Sequence, residues 1–405
     1  MLFCITWFAL TGVATGQESY GALVDANTKF AFKFFRQAIA NNQDKNVLTA
    51  PTALSLDFAL LQNGANPAAK AAIFDAFNFR NLSSEQINYE SDLLRQALSY
   101  VQPQLPKGHK RPPGTETGER LIMARSLWVG HYAWFRPAFL ETAKQFYGVS
   151  PVRLPDNQKA AVAAVNSWAA EQTGGKLASV IDSLKKDDFL LVNTTWFKGI
   201  WSDPFSVEKT HPGDFTLLSR QKKSVPMMSQ GRKFVYFQGP KFQAVRLDYW
   251  HAAMLIFLPD ESSSLSEFEQ SLTLENWAEW ISGMRSRLGY LELPRFSAEY
   301  HGDARSILER MGLESLFTSL SSFRQAVDHP GGAELTRVLQ GMLLNVDEKG
   351  TEILSFGVSG GVIGGISVGQ KPEEPFRMIV NRPFFFAIVD NTTGAILYMG
   401  AVVEP

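Results

Sequence analysis

The chain has 405 residues, 45% of them hydrophobic and 12% aromatic, with 39 basic and 40 acidic side chains for a net charge of −1 at pH 7. That apolar content supports a substantial core, in one large domain or in two or three small ones. A near-neutral balance gives no long-range field for nucleic acid or an anionic membrane, so neither is expected as a partner.

The opening MLFCITWFALTGVATGQES is an apolar run bounded by small residues, with Ala14 and Gly16 placed where a signal peptidase would cut. It is too short for a membrane span, which needs about 20 apolar residues. Residues 1–16 are therefore expected to be a signal peptide, although no Lys or Arg precedes the run. Residues 17–405 are expected to be a single secreted domain, periplasmic or at the cell surface in a bacterium. The one cysteine, Cys4, leaves with the signal. The mature chain then has no disulfide and depends on packing.

From Asn27, Phe30, Phe34 and Ala38, with Phe35 and Ile39, fall at helical spacing. Asn46 to Ala65 reads as a short extended stretch, then Pro51 near a first helical turn, then an apolar helix. Helices are predicted over 70–77 and 84–100. The stretch 101–120 is rich in Pro and Gly and carries Lys107, His109, Lys110 and Arg111, so it marks an exposed loop. Lys107, Lys110 and Arg111 could bind a polyanion such as heparin, but a solvated insertion is the plainer reading of so short a cluster.

LIMARSLWV from Leu121 predicts a buried strand, and FLETAKQFYG a helix closed by Gly148. Past Phe205 the chain turns strand-rich, with runs over 225–230, 242–249, 252–260 and 289–300. One helix is predicted over 264–281 and an amphipathic segment over 304–317. No internal repeat or linker divides the chain.

The last quarter has three zones. An apolar run ends in the charged turn Asp347-Glu348-Lys349-Gly350. From Thr351 to Val368 follows a long segment rich in Gly, Ser, Val and Ile whose one charge is Glu352. Two strand-like runs, 378–389 and 395–403, come last, joined at Asp390-Asn391-Thr392-Thr393-Gly394. The middle zone is too long for an ordinary loop and too apolar for a disordered linker, and its five glycines weaken it as a settled strand. It reads as a strand without a sheet.

DEKGTE from Asp347, this long loop, then NRPFFF and YMGAVVEP closely resemble the carboxy-terminal end of serpins, the serine protease inhibitor superfamily. VNSWAAEQTGGKLASVI from Val165 resembles a serpin helix and turn. DFLLVNTTWFKGIWSDPF from Asp188 matches the family's most specific internal run at Asn193, Phe197, Lys198, Gly199, Trp201 and Phe205. The resemblance covers essentially all of 17–405. It implies an α+β serpin fold with three β-sheets, a helical half and an exposed reactive-centre loop over about 349–375.

Such a loop is cut by a serine protease and inserts into the central sheet, dragging the acylated enzyme with it. Family spacing implies a hinge at Glu348, Lys349, Gly350, Thr351 and Glu352, and a reactive bond near Gly364-Gly365, beside Ile363. The sheet-opening region would include Asn193, Trp201 and Gln340. Val362 and Ile363, with no Arg or Lys between Lys349 and Lys371, imply an elastase-like or subtilisin-like target over a trypsin-like one. A monomer without cofactor or metal is expected. Side chains of an inserting strand alternate, and an ionised Glu352 cannot be buried without a partner. Thr351, Ile353, Ser355, Gly357 and Ser359 would therefore face inward, and Glu352, Leu354, Phe356 and Val358 outward.

Three departures stand out. Ile353, Leu354 and Phe356 occupy places where inhibitory serpins favour small residues, Ala50 and Ala53 replace two usual serines, and Gln340 replaces a usual histidine. A non-inhibitory serpin-fold binding protein, cleaved as a substrate, is therefore the alternative. A third reading is a serine hydrolase, since Gly357–Gly361 and Gly365–Gly369 both fit G-x-S-x-G. The order His329, Asp347, Ser359 would be needed, and these crowd too closely for a two-barrel protease. Sequons occur at Asn81, Asn193 and Asn391; the one at Asn193 lies in an expected core strand.

Overall fold

A computed structural model describes residues 20–40, 42, 44–99, 119–130, 133–172, 175, 179–184, 189–352 and 374–405. The first helix, α1, spans Gly21–Ala40 and so begins ahead of the start predicted at Asn27. Its first turn is capped from a distance, because the Leu23 amide donates to Glu90 Oε2 at 2.8 Å. That satisfies one of the N–H groups a helix start leaves open, and no local spacing reveals it. Strand β1 (Val47–Thr49) leads into α2 (Pro51–Leu61), every residue of which is buried. Pro51 takes the first helical position, where a missing N–H costs nothing. Helices α3 (Pro67–Ala76) and α4 (Ser84–Ala97) begin at side-chain caps, Asn66 accepting from the Ala69 amide and Ser83 from the Gln86 amide.

Next come β2 (Arg120–Val129), β3 (Trp134–Phe135), α5 (Pro137–Tyr147), β4 (Val152–Arg153), α6 (Gln158–Gln172) and β5 (Phe189–Ile200). Gly148 closes α5 at φ 63°, a left-handed conformation that only glycine takes freely. Four strands follow: β6 (His211–Thr216), β7 (Lys222–Gln238), β8 (Phe242–Asp248) and β9 (Ala252–Pro259).

The single helix predicted over 264–281 is in fact two, α7 (Leu265–Gln270) and α8 (Leu274–Gly283). The run holds two caps, with Ser264 accepting from the Glu267 amide and Thr273 from the Asn276 amide, both at 3.1 Å. The strand predicted over 289–300 also divides. Strands β10 (Arg285–Pro294) and β11 (Phe296–Asp303) part at Arg295 and enter different sheets. Pro294 has no N–H to carry the first ladder onward.

After β11 come α9 (Arg305–Leu308), a π turn over Glu309–Leu313 and α10 (Glu314–Thr318), the predicted amphipathic run being broken at Gly312 with φ 95°. The remaining strands are β12 (Val327–Asp328), β13 (Arg337–Val346), β14 (Gly350–Glu352), β15 (Phe376–Ile379), β16 (Phe384–Asp390) and β17 (Ile396–Val402). The run predicted over 378–389 is thus interrupted before Phe384. Strand β15 pairs in parallel with β10, whereas β16 pairs with β9 and β17. Pro383, which cannot donate to a ladder, marks the break.

The described strands form three sheets. A nine-stranded sheet has the order β1-β17-β16-β9-β8-β7-β10-β15 with β6 on β7, a six-stranded sheet has the order β11-β13-β14-β5-β2-β4, and β12 pairs with β3. Helices with three sheets are the α+β class expected. The six-stranded sheet is covered on both faces. Leu190 and Val192 of β5 pack with Val165 of α6, while Phe189, Leu191 and Phe197 join the main core with Leu54 and Phe58 of α2. A strand buried on both faces reads as one apolar run, as β5 does.

Candidate functional site

Strands β13 and β5 of the six-stranded sheet are direct neighbours along only part of their length. They pair in parallel from Arg337–Leu190 to Gly341–Thr194. Beyond Gly341, β14 lies between them, antiparallel to both. Glu352 stands opposite Asn345 and Thr351 opposite Val346 on one side. On the other side, Gly350, Thr351 and Glu352 stand opposite Ile200, Gly199 and Lys198. The fit is close. A Cβ at Gly350 would lie 2.0 Å from the Gly199 carbonyl oxygen, so only glycine lets the chain enter here.

The turn before β14 is fastened on every side. Asp347 Oδ1 accepts from the amides of Lys349 (2.8 Å) and Gly350 (3.2 Å). Trp201, just past β5, donates from Nε1 to the Asp347 carbonyl and from its amide to the Lys349 carbonyl, both at 2.9 Å. The Phe205 amide donates to the Glu348 carbonyl at 2.9 Å. Trp201 also stacks on Tyr249, with ring centroids 4.5 Å apart. The buried Tyr249 and Thr351 hydroxyls are hydrogen-bonded to each other.

Glu348 is 4% exposed. Arg295 Nε donates to both its carboxylate oxygens at 2.9 Å, Arg295 Nη2 to Oε1 at 2.6 Å, and the Thr210 hydroxyl to Oε1 as well. Burial pushes this carboxyl up, but the Arg295 and Thr210 hydrogen bonds outweigh it and hold the group below its ordinary range.

Where β13 and β5 still touch, a charged cluster lies beneath them. Gln340 of β13 faces Asn193 of β5 in register, and both are buried. Asn193 Nδ2 donates to Asp57 Oδ2 at 2.8 Å, and Arg125 Nε of β2 donates to Asp57 Oδ1 at 2.9 Å. Asp57, on α2, is fully buried and Arg125 is 8% exposed. Burial raises the Asp57 carboxyl to about 6 against the opposing pull of Arg125 and Asn193. No sequence motif singles out Asp57 or Arg125. The available signal was a lone carboxylate inside an otherwise apolar helical run.

The structure brings together Glu348, Lys349, Gly350, Thr351, Trp201, Asn193 and Gln340 along the line between β13 and β5. Ile363, Gly364, Gly365 and the serines Ser359 and Ser367 lie outside the described residues, as do residues 1–16 and the basic residues Lys107, Lys110 and Arg111. His329 and Asp347 do not pair: His329 Nδ1 accepts from the Gly331 amide, and Asp347 is held by its own turn. Among the described residues no group of three His, Cys, Asp or Glu side chains could hold a metal ion, and no helix is long and apolar enough to cross a membrane.

A family profile described as "Serpin (serine protease inhibitor)" matches residues 25–405. The chain is a serpin. Leukocyte elastase inhibitor from Homo sapiens is 28% identical over 405 residues, covering 95% of this chain and 99% of that protein. The protein of the same name from Sus scrofa is 30% identical over 407 residues, covering 94% and 98%. Among solved structures, thyroxine-binding globulin in complex with thyroxine superposes with a TM-score of 0.80 at 22% identity, covering 95% of this serpin and 99% of that chain. Tengpin, a thermophilic serpin in its native state, gives a TM-score of 0.81 at 23% identity, covering 95% and 94%. At those identities the two structures speak for the fold alone.

Proposed function

We propose that this serpin is an extracellular suicide inhibitor of a serine protease. The observation that carries this reading is β14, three residues already seated between β13 and β5 and antiparallel to both. A strand that continues β14 can add to the sheet only by parting the five pairs from Arg337–Leu190 to Gly341–Thr194. Glu348 to Glu352 form the hinge of this motion, and Asn193, Gln340 and Trp201 lie where the sheet opens.

In this reading the protease serine Oγ attacks the Gly364 carbonyl carbon, forms an ester there and expels Gly365 as a new amino terminus. The freed strand then enters the sheet edge to edge, carrying the acylated protease before water can cleave the ester. Val362 and Ile363 fit an elastase-like or subtilisin-like pocket, in line with the name of the leukocyte elastase inhibitors. Residues 1–16 direct secretion.

A second reading, a serpin-fold binding protein that is cut but traps nothing, is favoured by the bulk of Ile353, Leu354 and Phe356, which slows insertion. One experiment separates the two. The protein is incubated with elastase, subtilisin, chymotrypsin and trypsin and run on a denaturing detergent gel. Trapping gives a band at the summed mass of serpin and enzyme. Cleaved serpin alone, with every protease still active, would establish the second reading.

A further inference from the structure

The cavity between the end of α1, α7 and the end of β17 shares no residue with the line between β13 and β5, and protease trapping makes no use of it. It encloses about 380 Å³, within the range of small-molecule sites. Its apolar wall is formed by Ile39, Val47, Leu265, Ala401 and Val403, and the polar Asn42 and Ser266 also line it. One side of it is lined by Glu269 of α7, which is only 7% exposed.

Glu269 has no side-chain hydrogen bond or ion pair among the described residues, and burial alone pushes its carboxyl up to about 7. Of the charges around it, Asp44 and Lys45 sit at the exposed rim and offset each other. Arg36 of α1 gives Nη1 to the Leu272 carbonyl at 2.9 Å. A largely buried carboxyl with no protein partner is disfavoured in its charged form, and perturbed titratable groups in cavities gather at ligand sites.

We propose that this cavity binds a small amphipathic amine, with its ammonium on the Glu269 carboxylate and an aliphatic or single-ring body against Ile39, Val47, Leu265, Ala401 and Val403. The carboxylate sets the selectivity, since a cation gains a partner there that a neutral molecule does not and an anion is repelled. Because Glu269 is largely protonated below about 7, binding at pH 6 displaces a proton from it, and binding at pH 8.5 does not.

The test is titration calorimetry of the full-length protein with n-hexylamine, hexan-1-ol and sodium hexanoate. The expected result is one saturable site for hexylamine, at least tenfold tighter than for hexanol, with hexanoate weakest. Glu269→Gln should lower hexylamine affinity at least tenfold and leave hexanol unchanged. In buffers of different ionisation heat, the unsubstituted protein should release close to one proton per amine at pH 6 and close to none at pH 8.5, a readout that does not depend on how the variant folds. Absence of saturation by hexylamine would overturn the proposal. So would hexanoate binding as tightly as the amine, or proton release that is the same at both pH values.

Discussion

The pairing of β14 fixes where each later residue would lie if the strand were extended. Glu352 stands opposite Asn345 and Lys198, and both pairings are antiparallel. Five residues further on, Gly357 therefore meets Gln340 and Asn193 together. Those two already face each other across β13 and β5, so the two registers agree. In such an extended strand, the alternation that buries Thr351 would turn position 357 toward the same side, that of the Asp57 carboxylate. Asn193, Gln340 and Asp57 are 2%, 5% and 0% exposed, so a side chain at 357 would enter a place closed to solvent and walled by packed groups. Gly357→Leu forces four carbons into that space, and overpacking of this kind costs about 1–3 kcal/mol. Placed on the insertion barrier, that slows entry roughly 5- to 150-fold and gives the protease time to hydrolyse the ester. If the chain traps a protease as proposed, the assay is the number of moles of serpin consumed to silence one mole of that enzyme. Gly357→Leu should raise that ratio several-fold or more. Leu354→Phe enlarges an already bulky side chain on the opposite face, beside half-buried Trp196, and should raise the ratio less than Gly357→Leu does. An unchanged ratio for Gly357→Leu, or an equal rise for both variants, would refute the register.

Two further outcomes follow from the buried charges. Asp57→Ala leaves the Arg125 guanidinium without its carboxylate and should cost about 3–5 kcal/mol, read as a lower urea midpoint; the paired change Asp57→Leu with Arg125→Met should recover most of it, and a double variant no better than the single would contradict the pairing. Glu348 is held below its ordinary range of about 4.5, so the stability it contributes is present above that value and lost as pH falls through the depressed folded-state value. The gap in thermal midpoint between the unsubstituted protein and Glu348→Gln should be open at pH 7 and narrow only as pH falls below 4.5; a gap of constant width would remove the Arg295–Glu348 pair from the account.

Much of this architecture was legible in the sequence, and the exceptions share a cause. Periodicity found the apolar face of α1 because it repeats over several turns, α2 stood out as an apolar stretch behind Pro51, and Gly148 marked the end of α5 by its own backbone freedom. Periodicity could not see that Thr273 would cap a second helix, because the apolar spacing runs through the cap without a break. It also joined β10 to β11 and β15 to β16, since a strand that changes sheets keeps its alternation while its partners change. The family motif led to the line between β13 and β5, but the partners that fasten it came from far along the chain. Arg295 reaches Glu348 across 53 residues, and Arg125 reaches Asp57 across 68. Such pairs belong to the packed state, and no local pattern carries them.

The central claim is that the segment following β14 gains a place in the six-stranded sheet once it is cut. A single cleavage between residues 353 and 373, followed by calorimetry of intact and cut protein, tests this directly. Insertion predicts a thermal midpoint at least about 10 °C higher in the cut form, given that each kcal/mol moves the midpoint of a large domain by only a few degrees. A midpoint that stays level or falls on cutting would contradict the account.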